Sequence, residues 1–343
     1  MVRVGNPIVG IRRLVNSPIV QFAVLVLLVL AVVGMIFVQR SFLVEAETSY
    51  AEFAFGGEAN TWNFPAATVC NPREVPDVEA VAREGDLCSR ALFEVPTDTN
   101  EEVTVSWACG ARVSVQSDVD GALVVTVLGR AGDAERASPC EETEGPVALA
   151  DAHDIAEGSV VIVGAEAWRR TGALPFQAAA IVGEDIGPGA VHFLQSGRWE
   201  ARQTSPLHDY LPIHAVTEVV KAGQLSLGAE VQVWHYPDGR PALMWGHITP
   251  TPVDFDNSLA GFDVVMLSTP GKTELRLAHF GFSEPAHIRP DWVDTAINSP
   301  LFLAVFALLS LIAVILQIVK DTGELRQKKS NPDSGPRRET SVD

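Results

Sequence analysis

Two stretches of the chain are apolar without interruption, and most of what lies between them alternates. Residues 301–319, LFLAVFALLSLIAVILQIV, carry no charge over 19 positions, and a helix of that length spans most of a ~30 Å hydrocarbon core. Residues 19–38 read the same way. A backbone crossing lipid must satisfy its own N–H and C=O groups, so the two runs predict two transmembrane helices with everything between them on one side. Each run follows an Asn-Ser-Pro triplet, Asn16-Ser17-Pro18 and Asn298-Ser299-Pro300. Ser caps a helix and Pro suits its first position, where an N–H would be orphaned. The predicted layout is a cytoplasmic N-terminus at 1–18, helices at 19–38 and 300–319, an extracytoplasmic domain at 39–299 and a disordered basic tail at 320–343.

Inside the domain the period falls to two. Ala51, Phe53 and Phe55 share one face of a strand, and Val103, Val105, Trp107 and Cys109 share one face of another. Val113 and Val115 lead through Asp120-Gly121, a hairpin signal, into a run at 122–128. Further strands are predicted at 159–163, 177–182, 190–195, 262–268 and 273–280. With Gly, Pro and Asp clusters between them, they predict a mainly β, antiparallel, sandwich-like domain. Residues 71–90 and 129–157 read as loops, and the second marks a subdivision near 130–157. Residues 230–247 read as a hairpin turning at Pro237-Asp238-Gly239, pairing Tyr236 with Arg240 and Val233 with Leu243. That register puts Val231, Val233, Leu243 and Trp245 on a core face, and Gln232, Trp234, Tyr236 and Arg240 on the other.

Charge sharpens the topology. The chain carries a net −18, but outside residues 39–299 there are nine basic and five acidic side chains, which leaves the central segment at −22. Basic residues flank both apolar runs on their outer sides, so the positive-inside rule puts both termini in the cytoplasm. Trp292, just before the second run, suits the aromatic belt at headgroup depth. A domain this acidic repels nucleic acid and anionic lipid surfaces. Its four cysteines, Cys70, Cys88, Cys109 and Cys140, lie beyond the membrane and predict two disulfides, with three pairings open. The segment has no N-x-S/T sequon, which favours a bacterial inner membrane facing the periplasm.

Candidate chemistry is sparse. The eight histidines include no H-E-x-x-H pair, the cysteines no C-x-x-C, and His208 with His214 is the tightest cluster, so neither a metal nor a cofactor is expected. No G-x-S-x-G elbow or phosphate-binding glycine loop occurs, and no catalytic residue is assigned. Flat aromatics beside hydrogen-bonding groups make Gln232, Trp234, Tyr236 and Arg240 the candidate binding surface, with Trp62, Trp168 and Trp199 elsewhere. The expectation is a non-enzymatic, two-pass envelope protein, in contact with the lipid bilayer, whose β domain binds a protein partner or a glycan. The alternative is an enzyme acting on envelope polysaccharide or peptidoglycan.

Overall fold

The computed structural model describes residues 39–56, 60–77, 88–94, 102–140, 145–150, 153–183, 192–204, 217–251, 261–279 and 284–298, with eight helical positions between 303 and 318. The first predicted crossing, 19–38, lies outside the described residues. Of the second, Leu303, Leu311, Val314, Ile315 and Ile318 are helical and roughly half exposed. Among the described residues no helix is long and apolar enough to cross a membrane. A short helix, Trp292–Asn298, precedes this stretch.

Residues Gln39–Asp291 form one compact unit that is mainly antiparallel β-sheet. Its strands in chain order are β1 (Arg40–Thr48), β2 (Tyr50–Phe55), β3 (Asn60–Phe64), β4 (Thr68–Cys70), β5 (Val103–Trp107), β6 (Ala111–Ser117), β7 (Leu123–Arg130), β8 (Ala148–Ala150), β9 (His153–Ile155) and β10 (Val160–Val163). A helical turn, α1 (Ala165–Arg170), leads to β11 (Leu174–Val182), β12 (Leu194–Thr204), β13 (Thr217–Leu225), β14 (Ala229–His235), β15 (Arg240–Pro241), β16 (Met244–Pro250), β17 (Phe262–Ser268), β18 (Thr273–His279) and β19 (Ala286–Ile288). The helix Trp292–Asn298 is α2.

The larger sheet runs β13-β12-β1-β17-β16-β11-β2-β6-β7-β10-β4 and forks at β11, which also pairs with β14 and through it reaches β18 and β19. The smaller sheet, β3-β5-β8-β9, shares its hydrophobic core. Trp62 and Trp107 from the small sheet meet Phe55 of the large one at ring-centroid distances of 5.6 Å each, giving a sandwich with an aromatic centre. Alternation does the sorting: Phe42, Val44 and Ala46 of β1 and Phe262, Val264 and Met266 of β17 all point inward. Burying an aliphatic or aromatic side chain of this kind stabilises the unit by about 2 kcal/mol. Trp62, Trp168 and Trp199 are 0, 2 and 5 % exposed, so they are core residues and take no part in a binding surface.

Both disulfides form between sequential cysteines, Cys70–Cys88 and Cys109–Cys140. Residues 129–157, read as loop, supply the end of β7 and the short β8 and β9. The 230–247 hairpin needs correction. The turn holds four residues, so His235 rather than Tyr236 faces Arg240, and Gly239 donates its N–H to the His235 carbonyl at 3.0 Å. One extra loop residue exchanges the faces of the returning strand. Ala242 and Met244 are buried, while Trp245, expected inside, is 52 % exposed. The pairing also ends at Pro241, because β16 leaves β14 to lie between β11 and β17.

Candidate functional site

The outward faces of β14, β11, β2 and β6 are continuous. Register places Gln232 beside Ile181, Ile181 beside Glu52, and Glu52 beside Ser114, so all four lie in one row across the sheet. The next row contains Ala179, Ala54 and Arg112, with Trp234 at its β14 end. Strand alternation makes this face polar with a floor of small side chains.

A loop walls the floor on one side. Cys109 follows β5, and its disulfide to Cys140 ties down the segment after β7. Ala131 packs on Ala54 and Ala179, with Ala137 against the same cluster. A Cβ at Gly56 would lie 2.7 Å from the Ser138 hydroxyl, so the loop sits this close only because the position is glycine. Inside the loop Gly132 N–H donates to a Glu135 carboxylate oxygen at 3.0 Å, which holds Glu135 toward Arg112.

Between this wall and Trp234 lies a cleft of about 110 Å³, lined by Glu52, Arg112, Glu135, Ala179, Ile181 and Trp234 among others. Arg112 donates from Nε to Glu52 and from Nη1 to Glu135 at 3.2 Å. The hydrogen bond to Glu52 holds the guanidinium more firmly protonated than usual. Trp234 is fixed from two sides. Its Nε1–H donates to Gln232 Oε1 at 2.8 Å, and the Arg276 guanidinium covers its ring at 3.9 Å from the centroid.

Behind Trp234, Glu274 is 1 % exposed and directly opposite it on β18. Burial alone raises the Glu274 carboxyl, but hydrogen bonds from Arg276 and Arg289 outweigh it and hold the group below the ordinary carboxylate range. His287 Nδ1 lies 3.3 Å from the same carboxylate. Arg289 also covers the Tyr236 ring, 4.1 Å from its centroid.

The four residues of the expected binding surface therefore separate. Gln232 and Trp234 line the cleft, whereas Tyr236 and Arg240 sit on the turn beyond it, where both are exposed. Trp292 opens α2. His208 and His214 lie outside the described residues. Among the described residues no group of three or more His, Cys, Asp or Glu side chains is arranged to hold a metal ion. The 131–140 wall and the Glu52–Arg112–Glu135 system were missed. Their signal was present as the polar alternates of β2 and β6, but which strands adjoin is not written in either strand alone.

A second feature lies on the outward face of β1 and β17. Asp263 and Glu47 are cross-strand partners in an open trough of about 650 Å³ that also holds Arg198 and Gln224. Burial, and then the charge of Glu47, raises the Asp263 carboxyl above its ordinary value.

No family model, curated protein or solved structure matches the chain.

Proposed function

We propose that this chain is a non-enzymatic, two-pass envelope protein whose β-sandwich unit stands outside a bacterial inner membrane and holds a partner protein at the cleft beside Trp234. The observation that carries the reading is the meeting of the unit's two ends. Arg40, its second residue, donates from its guanidinium to the carbonyls of Pro290 and Asp291, the last two. Arg40 and Gly271 also exchange both backbone hydrogen bonds, at 3.0 and 2.9 Å. A domain entered and left at one point is compatible with two anchors that enter the bilayer from the same side, although close termini are common in domains of any setting. The exposed helical stripe Leu303, Leu311, Val314, Ile315 and Ile318 is costly in water and supports a lipid setting. Two disulfides and no free cysteine fit an oxidising compartment.

A partner protein suits the cleft better than a glycan. One face of Trp234 is already covered by Arg276, which removes part of the open platform a sugar ring would stack on. The Glu52–Arg112–Glu135 group sets one guanidinium between two carboxylates, a net −1 held by ion pairs, and together with the alanine floor it suits the orienting of an inserted side chain. A photo-reactive residue at Ile181, in intact membranes, gives a protease-sensitive adduct, while the same residue at exposed Leu149 gives none. A protease-resistant, sugar-positive adduct at Ile181, or none, would overturn the assignment.

The raised Asp263 carboxyl beside Glu47 favours a second reading, an enzyme acting on envelope polymer with Asp263 as general acid.

A further inference from the structure

The residues gathered where the unit's ends meet form a surface of their own. Tyr236 donates its N–H to the Lys272 carbonyl at 2.7 Å, and Thr273 donates its hydroxyl to the Arg40 carbonyl at 3.2 Å. Arg289 stacks on Tyr236, and Arg240 closes the same turn. We propose that this pole, made by Arg40, Tyr236, Arg240, Lys272 and Arg289, is a lipid-binding surface that lies among anionic headgroups.

Three observations converge. The first is chain length, and it rests on the two-pass reading above. The apolar run ends at Val38, and only Gln39 separates it from β1. At ~3.3 Å per residue Arg40 lies within about 7 Å of the hydrocarbon. The headgroup layer is about 5–8 Å thick on each side, which puts Arg40 within it or at its outer edge.

The second is charge. Residues 40, 236–240, 271–276 and 287–291 contain five basic side chains, Arg40, Arg240, Lys272, Arg276 and Arg289, and three acidic ones, Asp238, Glu274 and Asp291. Over residues 39–299 the count is 16 basic to 38 acidic. A unit repelled by an anionic surface over most of its area thus has a positive end, and that end is where the chain enters. The guanidinium of Arg240 presents the planar donor fork that suits lipid phosphate.

The third is the aromatic. Tyr236 is 49 % exposed at the turn, a ring with a polar tip of the kind that settles at headgroup depth. Docking the pole also fixes the cleft, since Trp234 is two residues, about 7 Å, further along β14. The partner at that cleft is then a membrane-proximal protein.

The test uses the full chain in vesicles of phosphatidylcholine, with and without phosphatidylglycerol. All four native cysteines are in disulfides, so Asp238→Cys and Val119→Cys each give one labelling site, the first on the exposed turn and the second 92 % exposed in the β6–β7 turn. A spin label is read against a nickel-chelating lipid. The label at 238 is relaxed strongly in anionic vesicles and the one at 119 is not. Adding Arg240→Glu and Lys272→Glu shifts the docking equilibrium by about fivefold or more per charge, and the signal at 238 falls. Relaxation at 238 that ignores both lipid charge and the reversals would overturn the proposal. Absence of relaxation in a chain that survives carbonate washing of the vesicles would overturn it and leave the anchored reading standing. Loss of the chain on washing would remove both.

Discussion

Glu274 is 1 % exposed, and its carboxylate is met by Arg276, Arg289 and His287 while Arg276 also braces Trp234. Its folded-state proton affinity is depressed, so its contribution to stability is present above the ordinary glutamate range and lost as pH falls through the lower folded value. Glu274→Gln therefore lowers stability at neutral pH by about 2 kcal/mol. Its melting curve and that of the parent converge as the pH is taken down through the carboxylate range; a gap constant with pH would contradict the charge-based account. Asp263 has the opposite sign. Its folded affinity for a proton is raised, so the fold favours the neutral acid, and stability is lost as pH rises through the interval between the ordinary and the raised values. Asp263→Asn raises the neutral-pH melting temperature slightly, worth about 0.5 kcal/mol after solvent screening. On the binding reading, the parent is expected to show no Asp263-dependent turnover of peptidoglycan or capsular sugar in a turnover assay. Turnover abolished by Asp263→Asn would replace the binding role with the enzymatic one.

At the scale of elements, the Cys109–Cys140 disulfide is the device that makes a cleft from a flat sheet face. Replacing both cysteines with serine costs about 4 kcal/mol by chain entropy and frees the 131–140 wall. The unit still folds by circular dichroism, and the Ile181 adduct is lost; an adduct that persists would mean the wall is not part of the site. Strands whose inner alternates are mostly apolar were legible in the sequence, β2, β5, β6, β7, β17 and β18 among them. Others were not, for identifiable reasons. β1 (RSFLVEAET) continues directly from an apolar run, so its alternation has no clear start. β13 (TEVVKAGQL) is an exposed edge strand with no apolar face to read. β8 and β9 are three residues each, in an Ala- and Glu-rich stretch. Register was the least legible property. The turn at 236–239 is one residue longer than its Pro-Asp-Gly signature implies, and that alone moved Trp245 from the core to the surface. It also divided the expected surface, leaving Trp234 and Gln232 at the cleft and carrying Tyr236 and Arg240 to the pole.

For the whole molecule, the sandwich and its core follow from alternation, and the two disulfides fell among the three pairings the cysteine count allowed. The site did not follow, because it is assembled from β2, β6, β11, β14 and the 131–140 loop, parts that only tertiary pairing brings together. Three features bear on placement: the unit's ends meet at Arg40, basic side chains gather at that meeting point, and apolar runs flank the unit in the sequence. Reporter fusions to residue 150, to the N-terminus and to residue 335 test this most directly. The account predicts residue 150 outside the cytoplasm with both flanking positions inside it; residue 150 on the same side as residue 335 would contradict it.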